Sequence, residues 1–338
     1  MAAATTVPLI EVSRLRVEFA TGAGIARVLD DVSFELREGE TLGIVGESGC
    51  GKSMTALSIL QLIPMPPGRI AAGAIRFRGE DLLQAGEDRM EDVRGNDIAM
   101  IFQEPMTALN PVFTIGQQII ETIRRHKKKT QAEAREDAIG LLQAVQIPEP
   151  GKRVDQYPHQ LSGGMRQRAM IAVALACQPA VLIADEPTTA LDVTIQAQVF
   201  ELMRSLHRTL GTAMILITHN MGAIAELADR VMVMYAGRKV EEGSVTDVLK
   251  HPAHPYTRGL LDCVLQVERN MTRARRLLPE IPGVVPALTE LGQGCSFAPR
   301  CRLAVDRCRV ETPPSVVVSD GHAAACWLVV PSQAAAAV

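Results

Sequence analysis

The stretch from Thr41 to Ser53 constrains this chain more than any other. Thr41–Val45 reads as a short strand with apolar side chains on both faces, and it runs directly into Gly46-Glu-Ser-Gly-Cys-Gly-Lys52-Ser53, after which a helical pattern extends to about Leu62. A strand, a glycine-rich turn and a helix in that order satisfy G-x-x-x-x-G-K-[ST] in the context the pattern requires. The glycines let backbone N–H groups turn inward around phosphate oxygens, and the start of the helix adds its positive dipole end. Lys52 is then placed to neutralise the outer phosphates of a nucleoside triphosphate, and Ser53 to ligate Mg²⁺.

The rest of the chain alternates strand and helix in the same way. Leu9–Leu36 alternates apolar and polar residues, with Gly22 and Gly24 between the halves, as antiparallel strands do. Ile98–Phe102, Val181–Ala184 and Ala213–Thr218 read as buried strands. Ile115–Gln146 reads as two helices turning at Lys127–Lys129, and about Thr194–Leu210 as another. A hairpin over Val231–Val240, turning near Ala236–Gly237, and a short helix begun by Ser244 close this part near Lys250. His251-Pro-Ala-His-Pro-Tyr256 has the composition of a linker, and proline and cysteine punctuate the chain from Leu277 onward. The pattern predicts an α/β fold with a mostly parallel sheet over residues 1–250, followed by a small loop-rich, cysteine-containing module over 251–338.

Two further motifs carry chemistry. Val181-Leu-Ile-Ala-Asp185-Glu186-Pro ends a strand on adjacent carboxylates. Such a pair alone is commonly a cap or a solvated turn, but beside a phosphate loop Asp185 supplies a second Mg²⁺ contact and Glu186 polarises the attacking water. Leu161-Ser-Gly-Gly-Met-Arg-Gln-Arg168 places Ser162 and the bare backbone of Gly163 and Gly164 at a helix start, a second anion site.

With these motifs in this order, residues 8–250 resemble the ATP-binding cassette (ABC) ATPases. The resemblance implies a RecA-like parallel sheet core, an antiparallel β subdomain and a helical subdomain at about 105–178. It implies that ATP is bound by Gly46, Glu47, Ser48, Gly49, Cys50, Gly51, Lys52, Ser53 and Met54, with Phe19 stacked on the adenine. Ser53, Gln103 and Asp185 are the implied Mg²⁺ contacts, and Glu186 and His219 the catalytic residues. Ser162, Gly163 and Gly164 would complete the site of an opposite subunit, and Asp192 would lie in the D-loop between subunits. Each site being completed in trans, a second, related ABC ATPase subunit is implied. Met165 stands where glutamine is frequent in the family.

Gln103-Glu-Pro-Met-Thr-Ala-Leu-Asn-Pro-Val-Phe-Thr-Ile-Gly116 is similar to the corresponding stretch of dipeptide and oligopeptide importer ATPases. So are His254-Pro-Tyr-Thr-Arg-Gly-Leu-Leu261, Ile281-Pro-Gly283 and Gly294-Cys-Ser-Phe-Ala-Pro-Arg-Cys301 in the tail. The resemblance implies an ATPase that powers peptide import, with two transmembrane permease subunits and an extracytoplasmic peptide-binding protein as partners. A soluble ABC ATPase of iron–sulfur assembly or repair, or an importer of glutathione or a nickel chelate, stays open as an alternative.

A net charge of −3 and an aromatic content of 3% argue against nucleic acid as a partner. The start of the chain lacks the charged and apolar regions of a secretory signal, and no apolar run approaches the ~20 residues of a membrane span. A peripheral position on the cytoplasmic face of the inner membrane is therefore expected.

Of seven cysteines, Cys295, Cys301, Cys308 and Cys326 crowd the tail in C-x5-C-x6-C-x17-C spacing. In a reducing compartment that clustering points to metal before disulfide, and four thiolates suit a [4Fe–4S] cluster or Zn²⁺, with unliganded core cysteines as the plain alternative. Arg300, Arg302, Arg307 and Arg309 would offset a cluster's charge.

Overall fold

The computed structural model describes residues 7–104, 108–189, 191–269 and 280–329, and it divides into two compact units. The first comprises Met1–Glu35, Leu42–Glu80 and Thr218–Val338, and the second Leu36–Thr41 and Asp81–Ile217.

In the first unit, strands Ile10–Thr21 and Gly24–Leu36 fall where the alternation places them. They join Gly68–Phe77 and Glu80–Asp81 in a four-stranded sheet, with Ile10–Thr21 antiparallel to Gly68–Phe77 from the pair Ile10 and Phe77 to the pair Phe19 and Gly68. The same unit carries Leu42–Val45 of the strand Thr41–Val45, parallel to Arg230–Tyr235. Arg230–Tyr235 turns back through Ala236 and Gly237, both at positive φ, into Arg238–Ser244, the tight connection a hairpin's twist favours. Asp30 ties these parts together: it is 7% exposed and accepts from Arg16 Nε at 3.0 Å and from Arg238 Nη2 at 2.6 Å.

The second unit holds the parallel strands Ile98–Ile101, Val181–Asp185 and Ala213–Ile217, in which every residue is buried. A helical segment separates the first two: Ile115–His126, Gln131–Ala144, Pro150–Arg153 and Gly163–Ala174. Thr114 and Thr130 each open a helix with a reciprocal capping box, so the Lys127–Lys129 turn ends where the next cap begins. Helix Val193–Leu210 ends on Gly211 at φ 66, a left-handed cap.

The segment after Lys250 departs from the expected linker. His254 is 1% and Tyr256 0% exposed, and helix Pro255–Arg269 starts between them. Glu241, itself 1% exposed, accepts from the N–H groups of Ala253 and His254 and from His322 Nε2, and these bonds take up a carboxylate that could not otherwise be buried. Strands Val316–Ser319 and His322–Ala324 continue the sheet, His322–Ala324 pairing antiparallel with Arg238–Ser244 through Glu241 and Glu242.

Candidate nucleotide site and the cysteine-rich tail

The first unit carries the phosphate loop, Phe19 and His219; the second carries Gln103, the serine–glycine motif, Asp185, Glu186 and Asp192. At the end of Thr41–Val45 the chain enters Gly46 at φ 152, where a Cβ would lie 2.2 Å from the Met234 carbonyl oxygen, so only glycine fits. Gly51, at φ 102, precedes helix Lys52–Ile59; a Cβ there would meet Leu29 Cδ2 at 2.7 Å and Val28 O at 2.9 Å. Lys52 is 6% exposed and its Nζ donates to the carbonyls of Gly46 at 2.9 Å and Glu47 at 3.1 Å. The cation thus lies folded into the loop it serves. Ser48 and Gly49 are exposed at the loop tip, and Ser53 and Met54 half-buried in the first helical turn. Cys50 is 1% exposed, and burial pushes its thiol pKa up, which suits a small packing residue and not a reactive thiol.

Phe19 is half-buried at the end of its strand, and Gly68 opposite it leaves room for the ring: a Cβ there would lie 2.8 Å from Phe19 Cζ. His219 is exposed, just beyond Thr218, whose N–H donates to Ile44 O at 3.3 Å.

In the second unit Asp185 is 3% exposed at its strand end. Glu186 turns into the left-handed region at φ 45, its N–H donating to Ile217 O at 2.8 Å. Its Oε2 accepts from Gln103 Nε2 at 3.2 Å and from Thr189 Oγ1 at 3.0 Å. Gln103, expected at Mg²⁺, therefore directs its amide N–H to the carboxylate; Thr189 was not anticipated, though a hydroxyl three residues past a strand-end glutamate is a signal that could have been read. Ser162 caps helix Gly163–Ala174, its Oγ accepting from Met165 N at 3.4 Å. Gly164 packs on Ile195, where a Cβ would come to 3.1 Å of Cγ2. Asp192 caps helix Val193–Leu210 by accepting from Ile195 N at 3.0 Å, and its neighbour Ala190 lies outside the described residues. Ser53 and Asp185 offer hard oxygen donors, the chemistry Mg²⁺ prefers.

The four tail cysteines fall in one part of the first unit, all as free thiols. Cys308 and Cys326 are buried, Cys295 and Cys301 half-buried, and Cys295 N–H donates to Cys308 O at 2.8 Å. Burial raises the pKa of Cys295, Cys301 and Cys326, and neighbouring thiols raise it further. Among the described residues, however, no three His, Cys, Asp or Glu side chains gather in a group able to hold a metal ion. The expected [4Fe–4S] or zinc site is thus not closed here: the thiols approach one another without forming a ligand set. Arg307 stacks 3.5 Å over the Trp327 ring and pairs with Glu311, and Arg300 is paired with Glu47. His322 is bonded to Glu241.

The ABC transporter family model matches residues 29–189, and the model of the oligopeptide/dipeptide transporter C-terminal region matches residues 240–308. A protein of Sinorhizobium fredii, described as a peptide ABC transporter ATP-binding protein, is 53% identical over 94% of this chain and 94% of its own length. This chain belongs to the ABC transporter ATP-binding family. A protein of Brucella abortus named for peptide import ATP binding is 50% identical over 94% of this chain and 96% of its own. Among solved structures, a dimeric ATP-binding cassette in a post-hydrolysis state with ADP and Pi matches at a TM-score of 0.63 and 25% identity, covering 70% of this chain and 98% of that one. Among the described residues no helix of this family member is long and apolar enough to cross a membrane.

Proposed function

We propose that this chain is the ATP-hydrolysing subunit of a membrane importer of peptides, with a cassette over residues 1–250 and an attached module over 251–338. The observation that carries the reading is identity of half or more, over nearly the whole length, to proteins named as peptide ABC transporter and peptide import ATP-binding proteins. Lys52 and backbone N–H groups of the loop Gly46–Ser53 bind the ATP phosphates, and Phe19 stacks on the adenine. Ser53, Gln103 and Asp185 would hold Mg²⁺, which when bound would neutralise phosphate charge. Glu186, oriented by Gln103 and Thr189, takes a proton from the attacking water, and His219 contacts the terminal phosphate. Ser162, Gly163 and Gly164 serve the nucleotide of a second, related subunit, and Asp192 lies at that interface. The dimeric cassette among the similar structures supports a paired arrangement.

The chain acts at the cytoplasmic face of the membrane through two permease subunits, fed by an extracytoplasmic peptide-binding protein. Phe102, Val112 and Phe113, exposed around the Gln103 loop, supply apolar surface for that contact. The complex is purified with its membrane partners and reconstituted in vesicles, and ATP hydrolysis is measured as peptides are offered with the binding protein. Stimulation by di- or oligopeptides is expected; stimulation by glutathione or a nickel chelate alone would move the reading to another importer, and absence of hydrolysis would end it.

A finer proposal concerns the tail. The clustering of Cys295, Cys301, Cys308 and Cys326 in the sequence supports a cysteine-ligated metal, [4Fe–4S] before zinc. Iron, sulfide and zinc are assayed after purification without oxygen: about four irons with sulfide support the cluster, one zinc replaces it, and neither metal removes it.

A further inference from the structure

Glu47 lies in the phosphate loop, directly after Gly46, with its carbonyl oxygen 3.1 Å from Lys52 Nζ. A carboxylate in a loop that receives anions works against its purpose, because an uncompensated charge there repels phosphate. Its charge is met from the far end of the chain. Arg300 grips Glu47 with two parallel bonds, Nη1 to Oε2 at 2.6 Å and Nη2 to Oε1 at 3.0 Å, the geometry that makes an arginine–carboxylate pair strong and directional. The remaining donors are committed as well: Nε to Pro282 O at 2.9 Å, Nη2 to Ile281 O at 3.0 Å and Nη1 to Tyr235 Oη at 3.4 Å. The Arg300 side chain is 5% exposed and that of Glu47 27%. The Glu47 carboxylate, first among its causes, pushes the guanidinium pKa up still further. Tyr256, fully buried against Tyr235 and Phe297, takes the Glu47 N–H on its hydroxyl at 2.8 Å. Residues after Lys250 therefore fix both the backbone and the side chain of one loop residue.

We propose that Arg300 is a positioning residue for nucleotide binding: by pinning and neutralising Glu47 it keeps the phosphate loop receptive to ATP, so the tail governs the affinity of the loop. The proposal rests on the reading of Gly46–Ser53 as the ATP site. Arg300 closes the turn Ala298–Arg300 and immediately precedes Cys301, so whatever holds the cysteine-bearing loops also aims the guanidinium.

The test measures equilibrium binding of Mg-ATP, steady-state hydrolysis and Tm on the full chain. Arg300→Met leaves the Glu47 charge unmatched beside the phosphates. It should weaken ATP binding about tenfold, raising KM in step, while kcat at saturating ATP moves by less than about twofold. Adding Glu47→Gln removes that leftover charge and should return the Kd to within about threefold of the parent. A purely structural contact has no such rescue. Arg300→Met binding ATP as tightly as the parent overturns the proposal, as does a double variant binding no better than Arg300→Met. If Arg300→Met does not fold, Glu47→Gln alone decides: it leaves the guanidinium charge beside the loop and should tighten ATP binding, and weaker binding overturns the proposal. A parent chain that does not bind ATP at all would refute the reading of the loop itself, a result distinct from an unresponsive variant.

Discussion

Glu47 and Glu186 each follow a fully buried five-residue strand, Thr41–Val45 and Val181–Asp185, yet their side chains meet different partners. Glu47 is held by a buried guanidinium that cancels its charge. Glu186 accepts from the amide of Gln103 and the hydroxyl of Thr189, on a backbone at φ 45. Position at the end of a strand does not make a carboxylate catalytic. The proposed base and the proposed structural anion differ in the side chains that hold them.

The sharpest way to break the comparison is Glu186→Gln. We expect kcat to fall by about 10²- to 10⁴-fold while ATP binding persists, read by hydrolysis and equilibrium binding on the same preparation. Undiminished hydrolysis would remove Glu186 as the base. The next effect tests the Glu47 side through the packing beneath it. His254 is buried, and burial lowers its pKa to about 4. Because the folded pKa lies below the ordinary value of 6.5, the unfolded chain binds more protons between about 6.5 and 4. The stabilisation is whole above pH 6.5 and is lost as the pH falls towards 4, to the extent of about 3 kcal/mol. Tm recorded from pH 7 to 4.5 should fall for the parent, and His254→Asn should start lower but fall less steeply. Equal slopes would place the acid sensitivity elsewhere. The smallest effect belongs to Thr189→Val, which removes one hydrogen bond worth about 1 kcal/mol and should lower kcat about fivefold with little change in KM for ATP. A change in KM alone would mean that Thr189 serves binding and not the base.

The strands and loops around both glutamates were legible because their signals are local. A five-residue apolar run, a glycine loop and a following helix leave their pattern within a short window, and Thr41–Val45 has the bounds the sequence predicts. Strand Gly68–Phe77 gave no such signal, since its glycines and alanines carry little β propensity and its place is set by register with Ile10–Thr21. His251–Tyr256 read as a linker because proline and histidine resemble solvated chain, yet Glu241 satisfies its N–H groups and lets it pack inside. The grip of Arg300 on Glu47 joins residues 253 positions apart, and no periodicity records so distant a pairing.

Strand His322–Ala324 covers one side of Arg238–Ser244 by pairing at Glu241 and Glu242. A strand left with one flank open offers unpaired N–H and C=O groups to any other chain that can add to it. The tail therefore moves the open edge from Arg238–Ser244 to Val316–Ser319. Shortening the chain before His322 would leave that flank bare and remove the imidazole bonded to Glu241, so that loss of solubility would accompany loss of stability.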